Sequence, residues 1–188
     1  MSAVDLNRQQ NRFAGPPLPE MSAEYALELV KLFDELQLEV VVDGGWAVDA
    51  LLGQQTRAHS DLDIAIAHKS VPQLRQALEA RGYTDVLLGD TTEYNFVLED
   101  GFRHRVDSHI YSFDEQGRLV YGLPYPFDSL DGQGTILGYP VRCITPAWLV
   151  QFHTGYKLDE NDYHDVRLLC QRFGIELPAE YTGFRKDG

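Results

Sequence analysis

The chain is poor in cysteine and contains no long apolar run. Its 188 residues include two cysteines, Cys143 and Cys170, whose spacing fits neither a metal-binding nor a redox pair. No apolar stretch approaches the roughly 18–20 residues that a membrane-spanning helix needs. The N-terminus also lacks the charged and then apolar layout of a signal peptide. These absences predict a cytoplasmic protein with reduced thiols and no membrane partner.

Positive charge is also scarce. Sixteen Lys and Arg residues stand against 29 Asp and Glu residues, and the formal net charge is −13. A protein that binds the nucleic-acid backbone needs a basic surface, so we expect no nucleic-acid partner. A cationic small molecule suits this negative field better. Because 44% of the residues are hydrophobic, the chain can fill a core and is not compositionally disordered.

The length of 188 residues fits one domain with a modest appendage. Residues 1–20 are polar and end in a segment rich in Gly and Pro, which predicts a flexible N-terminal arm. Residues 21–188 are then expected to form a single domain whose C-terminal helical portion begins at about residue 145. Helices that alternate with a small mixed sheet, and then follow it, predict an α/β or α+β fold.

The hydrophobic periodicity divides the chain into short elements separated by Gly, Pro and Asp. Ser22 is expected to cap the first helix, and Ser70 to start another through a capping box. Residues 122–134, rich in Gly, Pro and aromatic residues, are expected to form a long irregular loop, which either binds a ligand or covers the core. Helices are predicted at 26–36, 46–52, 71–81, 146–152 and 162–173, and strands at 40–42, 61–66, 83–88, 93–98, 102–113 and 141–143.

The stretch 40–67 organises this pattern. Three β-branched residues, 40–42, predict a buried strand, and Asp43-Gly44-Gly45 then breaks it before a helix. A strand, a glycine turn and a helix allow backbone N–H groups to face an anionic ligand.

Two aspartates follow in the next predicted strand. Because side chains alternate along a strand, Asp61 and Asp63 share one face while Leu62 and Ile64 share the other. Their Cα atoms lie about 6.5–7 Å apart, so the carboxylates repel unless a cation lies between them. We interpret them as Mg²⁺ ligands, since this ion prefers carboxylate oxygens. Alone, such a pair is also common at strand ends, where aspartates merely cap loops.

A third carboxylate, Asp107, lies inside the second strand of a predicted hairpin, where an acid is usually disfavoured. It forms an ion pair with Arg103 or Arg105 on an exposed sheet face, or it completes a metal cluster with Asp61 and Asp63. The presence of the other two acids favours the cluster.

With these motifs placed, the sequence resembles antibiotic nucleotidyltransferases of the DNA polymerase β-like superfamily. The resemblance is strongest to lincosamide nucleotidyltransferases and extends to aminoglycoside 2''-nucleotidyltransferases. Three segments carry it: 43–66, 106–117 and 140–166. It implies the nucleotidyltransferase fold and an enzyme that transfers a nucleoside monophosphate, typically from ATP, to a hydroxyl of a small antibiotic. Pyrophosphate leaves.

The resemblance also implies roles for single residues. It assigns Asp61 and Asp63 to divalent metal binding, and Asp107 to a metal ligand, a general base or both. Gly44 and Gly45 fall where the family's turn holds the triphosphate, and Arg57 falls in the loop that meets its charge. Two magnesium ions are expected. Ser60, Lys157 and the region 118–139 depart from the family pattern, which leaves the acceptor open.

Three further residues each have two interpretations. His59 contacts a phosphate or forms a hydrogen bond to the backbone. Glu93 points into the cleft from the facing strand and binds substrate, or it is a solvated acid at the strand edge. His109 shapes the acceptor pocket or pairs with Asp107 and holds it in place.

Other functions remain open at this point. The same chemistry can act on a protein side chain or another non-drug acceptor. A chain of this fold can instead be a non-catalytic nucleotide-binding module, a toxin–antitoxin partner or a metal-binding protein. Since a domain this small forms a shallow acceptor pocket alone, a homodimer that contributes a second wall is also expected.

Overall fold

A computed structural model describes residues 19–89 and 91–184. The predicted flexible arm therefore falls almost wholly on residues 1–18, outside the described residues. Within the described ranges, no helix is both long enough and apolar enough to cross a membrane.

The described residues contain a mixed sheet of eight strands, with bounds β1 Val40–Val42, β2 Asp61–Ala67, β3 Thr84–Val86, β4 Asn95–Glu99, β5 Arg105–Phe113, β6 Leu119–Gly122, β7 Gly132–Ile136 and β8 Tyr139–Cys143. The strand order is β3-β4-β5-β2-β1-β8-β7, and β6 pairs with the far end of β5. The pairs β2–β5 and β1–β8 are parallel, and the other pairs are antiparallel. This mixed sheet with flanking helices confirms the predicted fold class.

In the part of the chain that the structure describes, five α-helices accompany the sheet: α1 Ala23–Glu35, α2 Gly44–Leu52, α3 Val71–Glu79, α4 Pro146–Phe152 and α5 Glu160–Phe173. Ser22 caps α1 as predicted, because its hydroxyl accepts the N–H of Tyr25 at 3.2 Å. Gly53 and Gly174 end α2 and α5 in the left-handed conformation. Short 3₁₀ turns lie at His68–Ser70, Phe127–Asp131 and Ala179–Phe184.

The two faces of β2 differ in burial, and this difference fixes its register. Leu62, Ile64 and Ile66 are 0% exposed and belong to the hydrophobic core. Burying each such side chain contributes about 1.5–3 kcal/mol. A shift of one residue would exchange the faces and place Asp61 and Asp63 in the core. The apolar face therefore holds both aspartates on the opposite side of the sheet.

Several predicted elements need correction. The loop 122–134 contains a 3₁₀ turn and the start of β7, and β6 was not expected. Strand β7 is rich in glycine, which disfavours strands locally. It forms because it pairs with β8 and because Gly134 lies against α2, where an added Cβ would stand 2.4 Å from the carbonyl carbon of Ala50. Ser70 makes no capping box, since its hydroxyl accepts the N–H of Glu39 instead.

Candidate active site

The parallel pairing of β2 and β5 brings three acids together. In its register Asp63 lies opposite Asp107, and Asp61 lies opposite Arg105. Paired residues on adjacent strands, about 4.8 Å apart, project from the same face of a sheet. Asp61, Asp63 and Asp107 therefore share the face opposite the core, and we refer to them as the strand acids.

The start of α2 lies directly against this group. The N–H of Asp43 donates to the backbone oxygen of Asp63 at 2.9 Å, which continues the pairing of β1 with β2 by one residue. Gly44 follows with a φ of +56°, and a Cβ added there would stand 2.2 Å from Oδ2 of Asp63. Only glycine accommodates both the backbone conformation and the adjacent carboxylate. The glycine turn and the strand acids are therefore parts of one packed unit.

The strand acids differ in their surroundings. Asp61 and Asp63 are partly exposed, whereas Asp107 is buried. Burial raises the pKa of Asp61, although a hydrogen bond from Ser60 and the nearby Arg57 and Arg105 oppose that rise. A carboxyl group whose charged form is disfavoured in this way gains from a bound cation.

The alternative interpretation of Asp107 was an ion pair with Arg103 or Arg105 on an exposed sheet face. The Nε atom of Arg105 has a different acidic partner. This Nε donates to Glu99 Oε2 at 2.6 Å, and Arg105 is buried rather than on an exposed sheet face. The imidazole of His109 lies next to Asp107 instead, with Nε2 at 3.5 Å from Oδ1. This contact agrees with the interpretation of His109 as a partner of Asp107.

Two further residues connect to His109 on its other side. The hydroxyl of Tyr125 donates to Asp43 Oδ2 at 2.6 Å and lies 3.2 Å from His109 Nδ1. Burial alone would raise the pKa of Asp43, but the nearby His109 imidazole and hydrogen bonds from Tyr125 and the Gly44 N–H lower it below its usual range. Burial and the charge of Asp43 raise the pKa of Tyr125 well above its usual value. Asp43 is thus a carboxylate and Tyr125 a neutral phenol.

Arg57 and His59 are bound to buried acids on the helices. Arg57 donates to both oxygens of Asp165 on α5, at 2.7 Å from Nη2 and 3.0 Å from Nε. His59 is buried, and its Nε2 lies 2.5 Å from Oδ2 of Asp49 on α2. Both side chains also pack under Gly45, where an added Cβ would approach each within 2.5 Å. Nucleotide contact by Gly44, Gly45, Arg57 and His59 stays a prediction.

Glu93 does not lie in a strand. Strand β4 begins at Asn95, and Glu93 is an exposed residue of the turn before it. The turn is held by Asn95, whose Oδ1 accepts the N–H of Thr92 at 3.0 Å. The predicted position in the facing strand is therefore wrong, because the turn takes the first two residues assigned to that strand. Substrate binding by Glu93 stays a prediction.

The strand acids fit a divalent cation in donor type. They supply carboxylate oxygens, the ligands that Mg²⁺ prefers, and Gly44 leaves the space that Asp63 occupies. Across residues 19–89 and 91–184, no group of three or more His, Cys, Asp or Glu side chains is close enough to hold a metal ion. The carboxylates would therefore have to approach one another to share one.

Sequence reasoning missed two residues of this site. Asp43 was interpreted only as part of the turn that breaks the strand, although its position before two glycines marks it as a helix cap. Tyr125 lies in a segment without periodicity, so no local pattern indicates that its hydroxyl reaches Asp43. Its position depends on contacts with Phe152 and Tyr111, whose ring centroids lie 5.8 and 6.2 Å away.

Comparison with known proteins adds to this geometry. A family model described as aminoglycoside-2''-adenylyltransferase matches residues 26–169, which include all the strand acids and α2. The chain belongs to this family. It is a nucleotidyltransferase, and both the predicted family and the predicted enzyme class are confirmed.

Relatives of two kinds are similar in sequence. A lincosamide resistance protein of Staphylococcus haemolyticus is 27% identical over 147 residues, which is 75% of this chain and 89% of the relative. A 2''-aminoglycoside nucleotidyltransferase of Klebsiella pneumoniae is 29% identical over 159 residues, which is 79% of this chain and 86% of the relative. The two identities are too close to separate the two kinds.

A solved structure shows the same fold. The lincomycin-bound crystal structure of the lincosamide antibiotic adenylyltransferase LnuA aligns with a TM-score of 0.71 and 24% identity. The alignment covers 80% of this chain and 98% of LnuA. The fold that the two proteins share therefore takes in most of this chain and nearly all of LnuA.

Proposed function

We propose that this protein transfers a nucleoside monophosphate, AMP from ATP, to a hydroxyl of a small antibiotic in a magnesium-dependent reaction. The observation that carries the proposal is the convergence of Asp61, Asp63 and Asp107 on one sheet face beside Gly44, in a chain of this family. Two adjacent strands and a helix start supply this arrangement, so the acids are held on a rigid framework.

The reaction is an in-line displacement. The acceptor's hydroxyl oxygen forms a bond to the α-phosphorus while the bond from that phosphorus to the bridging oxygen breaks. Pyrophosphate leaves with the electron pair of that bond, and Asp107 takes the hydroxyl proton. Asp61, Asp63 and Asp107 would hold two Mg²⁺ ions, which supply positive charge to the phosphates and lower the pKa of the acceptor hydroxyl.

Other residues of the proposed site act by position and charge. Gly44 and Gly45 are assigned to the turn that meets the triphosphate, as the family resemblance implies. Arg57 is bound to Asp165 through Nε and Nη2, so we assign it a contribution to the local electrostatic field rather than a direct phosphate contact. His109 is assigned to Asp107, which it approaches at 3.5 Å.

A lincosamide is the acceptor that we propose. The support is the resemblance of residues 106–117 and 140–166 to lincosamide enzymes, together with the lincosamide resistance protein among the relatives. The net charge of −13 suits a basic drug of either kind. Because a relative that acts on aminoglycosides is as similar, aminoglycosides belong in the same test.

We also propose that a second copy of the chain completes the acceptor pocket as a homodimer. A chain this small forms only a shallow wall around a drug on its own. Sedimentation equilibrium of the purified protein, with and without drug, tests this directly. A monomer at the concentrations used for turnover would overturn it.

The decisive experiment incubates the purified protein with Mg²⁺, each of the four nucleoside triphosphates and a panel of lincosamides and aminoglycosides. We expect pyrophosphate release and a drug that gains the mass of AMP, with ATP and a lincosamide as the best pair. The Asp63→Asn variant is the control, and it should release pyrophosphate about 1,000-fold more slowly. Release only with an added protein would indicate a protein acceptor, and no release with any pair would indicate a non-catalytic module.

A further inference from the structure

A line of buried polar groups runs from the start of α2 to Asp107. The N–H of Gly44 donates to Asp43 Oδ1 at 2.8 Å, and the Tyr125 hydroxyl lies 2.6 Å from Asp43 Oδ2. The same hydroxyl lies 3.2 Å from His109 Nδ1, and His109 Nε2 lies 3.5 Å from Asp107 Oδ1. Asp43, Tyr125, His109 and Asp107 are between 2% and 8% exposed. These four side chains are therefore shielded from bulk water and lie in contact with one another in sequence.

The number of protons on each group determines which group donates and which accepts in each hydrogen bond of this line. A tyrosine hydroxyl has one proton and an ionised carboxylate has none, so Tyr125 donates to Asp43. The oxygen of Tyr125 can then only accept from His109, which requires a proton on Nδ1. With Nδ1 engaged in this way, the ring orientation is set and Nε2 is directed to Asp107.

We propose that Tyr125 is a positioning residue for the transfer reaction: with Asp43, it orients His109 so that the imidazole ring lies beside the Asp107 carboxylate and limits its rotation. This inference rests on the proposed function, in which Asp107 is the base. The hydroxyl of Tyr125 contacts Asp43 and His109, and the proposal gives it no contact with substrate. It acts only through His109.

Asp107 needs such a partner because of its neighbours. Asp63 lies directly opposite it in the β2–β5 register, and Asp61 lies two residues from Asp63 on the same face. Like charges at this separation repel, and the repulsion favours rotation of the Asp107 carboxylate away from the other strand acids. His109, fixed from behind by Tyr125, opposes that rotation. The 3.5 Å contact is longer than a hydrogen bond, so its effect is orientation rather than proton transfer.

The placement of Tyr125 also explains the irregular segment that follows β6. Its ring packs edge-on against Phe152 of α4 and Tyr111 of β5. The segment thus places the Tyr125 hydroxyl behind the site, while the Tyr125 ring packs in the core. Replacing Tyr125 by Phe keeps the ring and removes only that hydroxyl, which makes it the natural test.

Two measurements test the proposal. In the first, wild-type protein labelled with ¹⁵N-histidine is studied by NMR without nucleotide or drug, and His109→Gln identifies the His109 signals. We expect a proton on His109 Nδ1. A proton on Nε2 alone would overturn the proposal, whether or not the protein transfers nucleotides.

The second measurement is kinetic. We expect Tyr125→Phe to lower kcat about 10-fold to 100-fold, with KM for nucleotide and drug unchanged. The melting temperature should fall, because Asp43 Oδ2 loses a buried hydrogen bond, so kcat is compared at a temperature where both proteins are folded. The matched control is Tyr111→Phe, which removes the hydroxyl of a neighbouring buried tyrosine and should leave kcat within about twofold. In a His109→Gln background, Tyr125→Phe should cause no further loss, because the hydroxyl acts through the imidazole.

Several kinetic results would contradict the proposal: an unchanged kcat in Tyr125→Phe, a loss confined to KM, an equal loss in Tyr111→Phe, or additive losses with His109→Gln. A wild-type protein that transfers no nucleotide to any drug would defeat the proposed function instead. The His109 tautomer would then still decide whether the hydrogen-bond line exists.

Discussion

Two groups of acidic side chains lie close together in this protein but have different partners. Asp49 and Asp165, on the helices, are each bound by a side chain from the loop between α2 and β2: His59 at 2.5 Å and Arg57 at 2.7 Å. The strand acids lie on adjacent strands and face one another instead. The helix acids are at most 3% exposed, whereas two of the three strand acids are partly open to solvent.

This contrast separates the acids that stabilise the fold from the acids that take part in the proposed reaction. A buried carboxylate that accepts several hydrogen bonds stabilises the fold, and loss of its partner leaves a charge in a poorly solvating interior. Carboxylates placed side by side repel, so their arrangement destabilises the protein unless a cation binds. We therefore expect substitutions of the helix acids to change stability and substitutions of the strand acids to change activity.

The largest expected effect, and the most direct test of this difference between the two groups of acids, comes from removing a strand acid. Asp61→Asn or Asp63→Asn should lower kcat by about 1,000-fold, the scale of losing one preorganised electrostatic group. The melting temperature should stay the same or rise, because repulsion between the strand acids is reduced. Transfer assays and thermal denaturation of both variants measure this. Near-wild-type turnover in both would defeat the assignment of these residues.

Removing a helix acid should have the opposite profile. Asp165→Asn leaves the Arg57 guanidinium without its charge partner, and we expect a loss of about 3–5 kcal/mol in the free energy of unfolding. Urea denaturation measures the change, and the exposed pair Arg118–Asp114 supplies the control. Asp114→Asn should change stability much less, because solvent screens this pair. Equal effects in the two variants would show that the Arg57–Asp165 pair contributes no more to the free energy of unfolding than an exposed pair does.

The contact between Gly44 and Asp63 tests whether the glycine turn belongs to the strand-acid group. Gly44→Ala should destabilise the protein by about 1–3 kcal/mol through its positive φ. It should also lower kcat by up to about 100-fold, because the new Cβ displaces the Asp63 carboxylate.

Gly174→Ala is the matched control for that change. Gly174 has a φ of +69°, but an added Cβ there meets nothing within 4 Å. Its substitution should therefore change stability without changing kcat. An activity loss of the same size in both variants would show that backbone strain, not the contact with Asp63, is responsible.

The smallest expected effect concerns a third structural acid, Asp100, at the end of β4. Burial alone would raise its pKa, but hydrogen bonds from His104, Phe102 and Tyr25 lower it below its usual range. Since the folded-state pKa is depressed, the stabilisation is present above the unfolded value of about 3.9 and is lost as the pH falls through the folded value.

We therefore expect Asp100→Asn to be less stable than wild type by about 1 kcal/mol at pH 7. This difference should shrink as the pH falls from about 5 toward 2. Urea denaturation across this range measures it, with the exposed Asp128→Asn as control. A difference that stays constant with pH would contradict the role of the Asp100 charge.

The local parts of the site were predictable from the sequence. Alternation along β2 places Asp61 and Asp63 on one face, and the glycine doublet marks the start of α2, because these patterns depend only on near neighbours. Asp107 was predictable as a strand residue, and its place beside the other acids followed from expecting the two strands to be neighbours.

The partners of the loop residues were not predictable in the same way. Arg57 was expected at a phosphate, yet it binds Asp165, which is 108 positions away in the sequence. His59 was expected at a phosphate or the backbone; it contacts Asp49, a partner that the sequence did not indicate, and its phosphate contact stays a prediction. A long, flexible side chain has several acids within reach, and only the packing of α5 against the loop selects one of them.

By itself, the sequence determined the chemistry that the site has available: carboxylates at a spacing of two, a glycine turn before a helix, and a strongly acidic surface. These follow from covalent geometry and residue type. The tertiary structure alone decided that Asp63 faces Asp107, that β7 forms at all, and that Tyr125 reaches Asp43. Those contacts join distant segments, so they exist only where the whole sheet and its helices pack together.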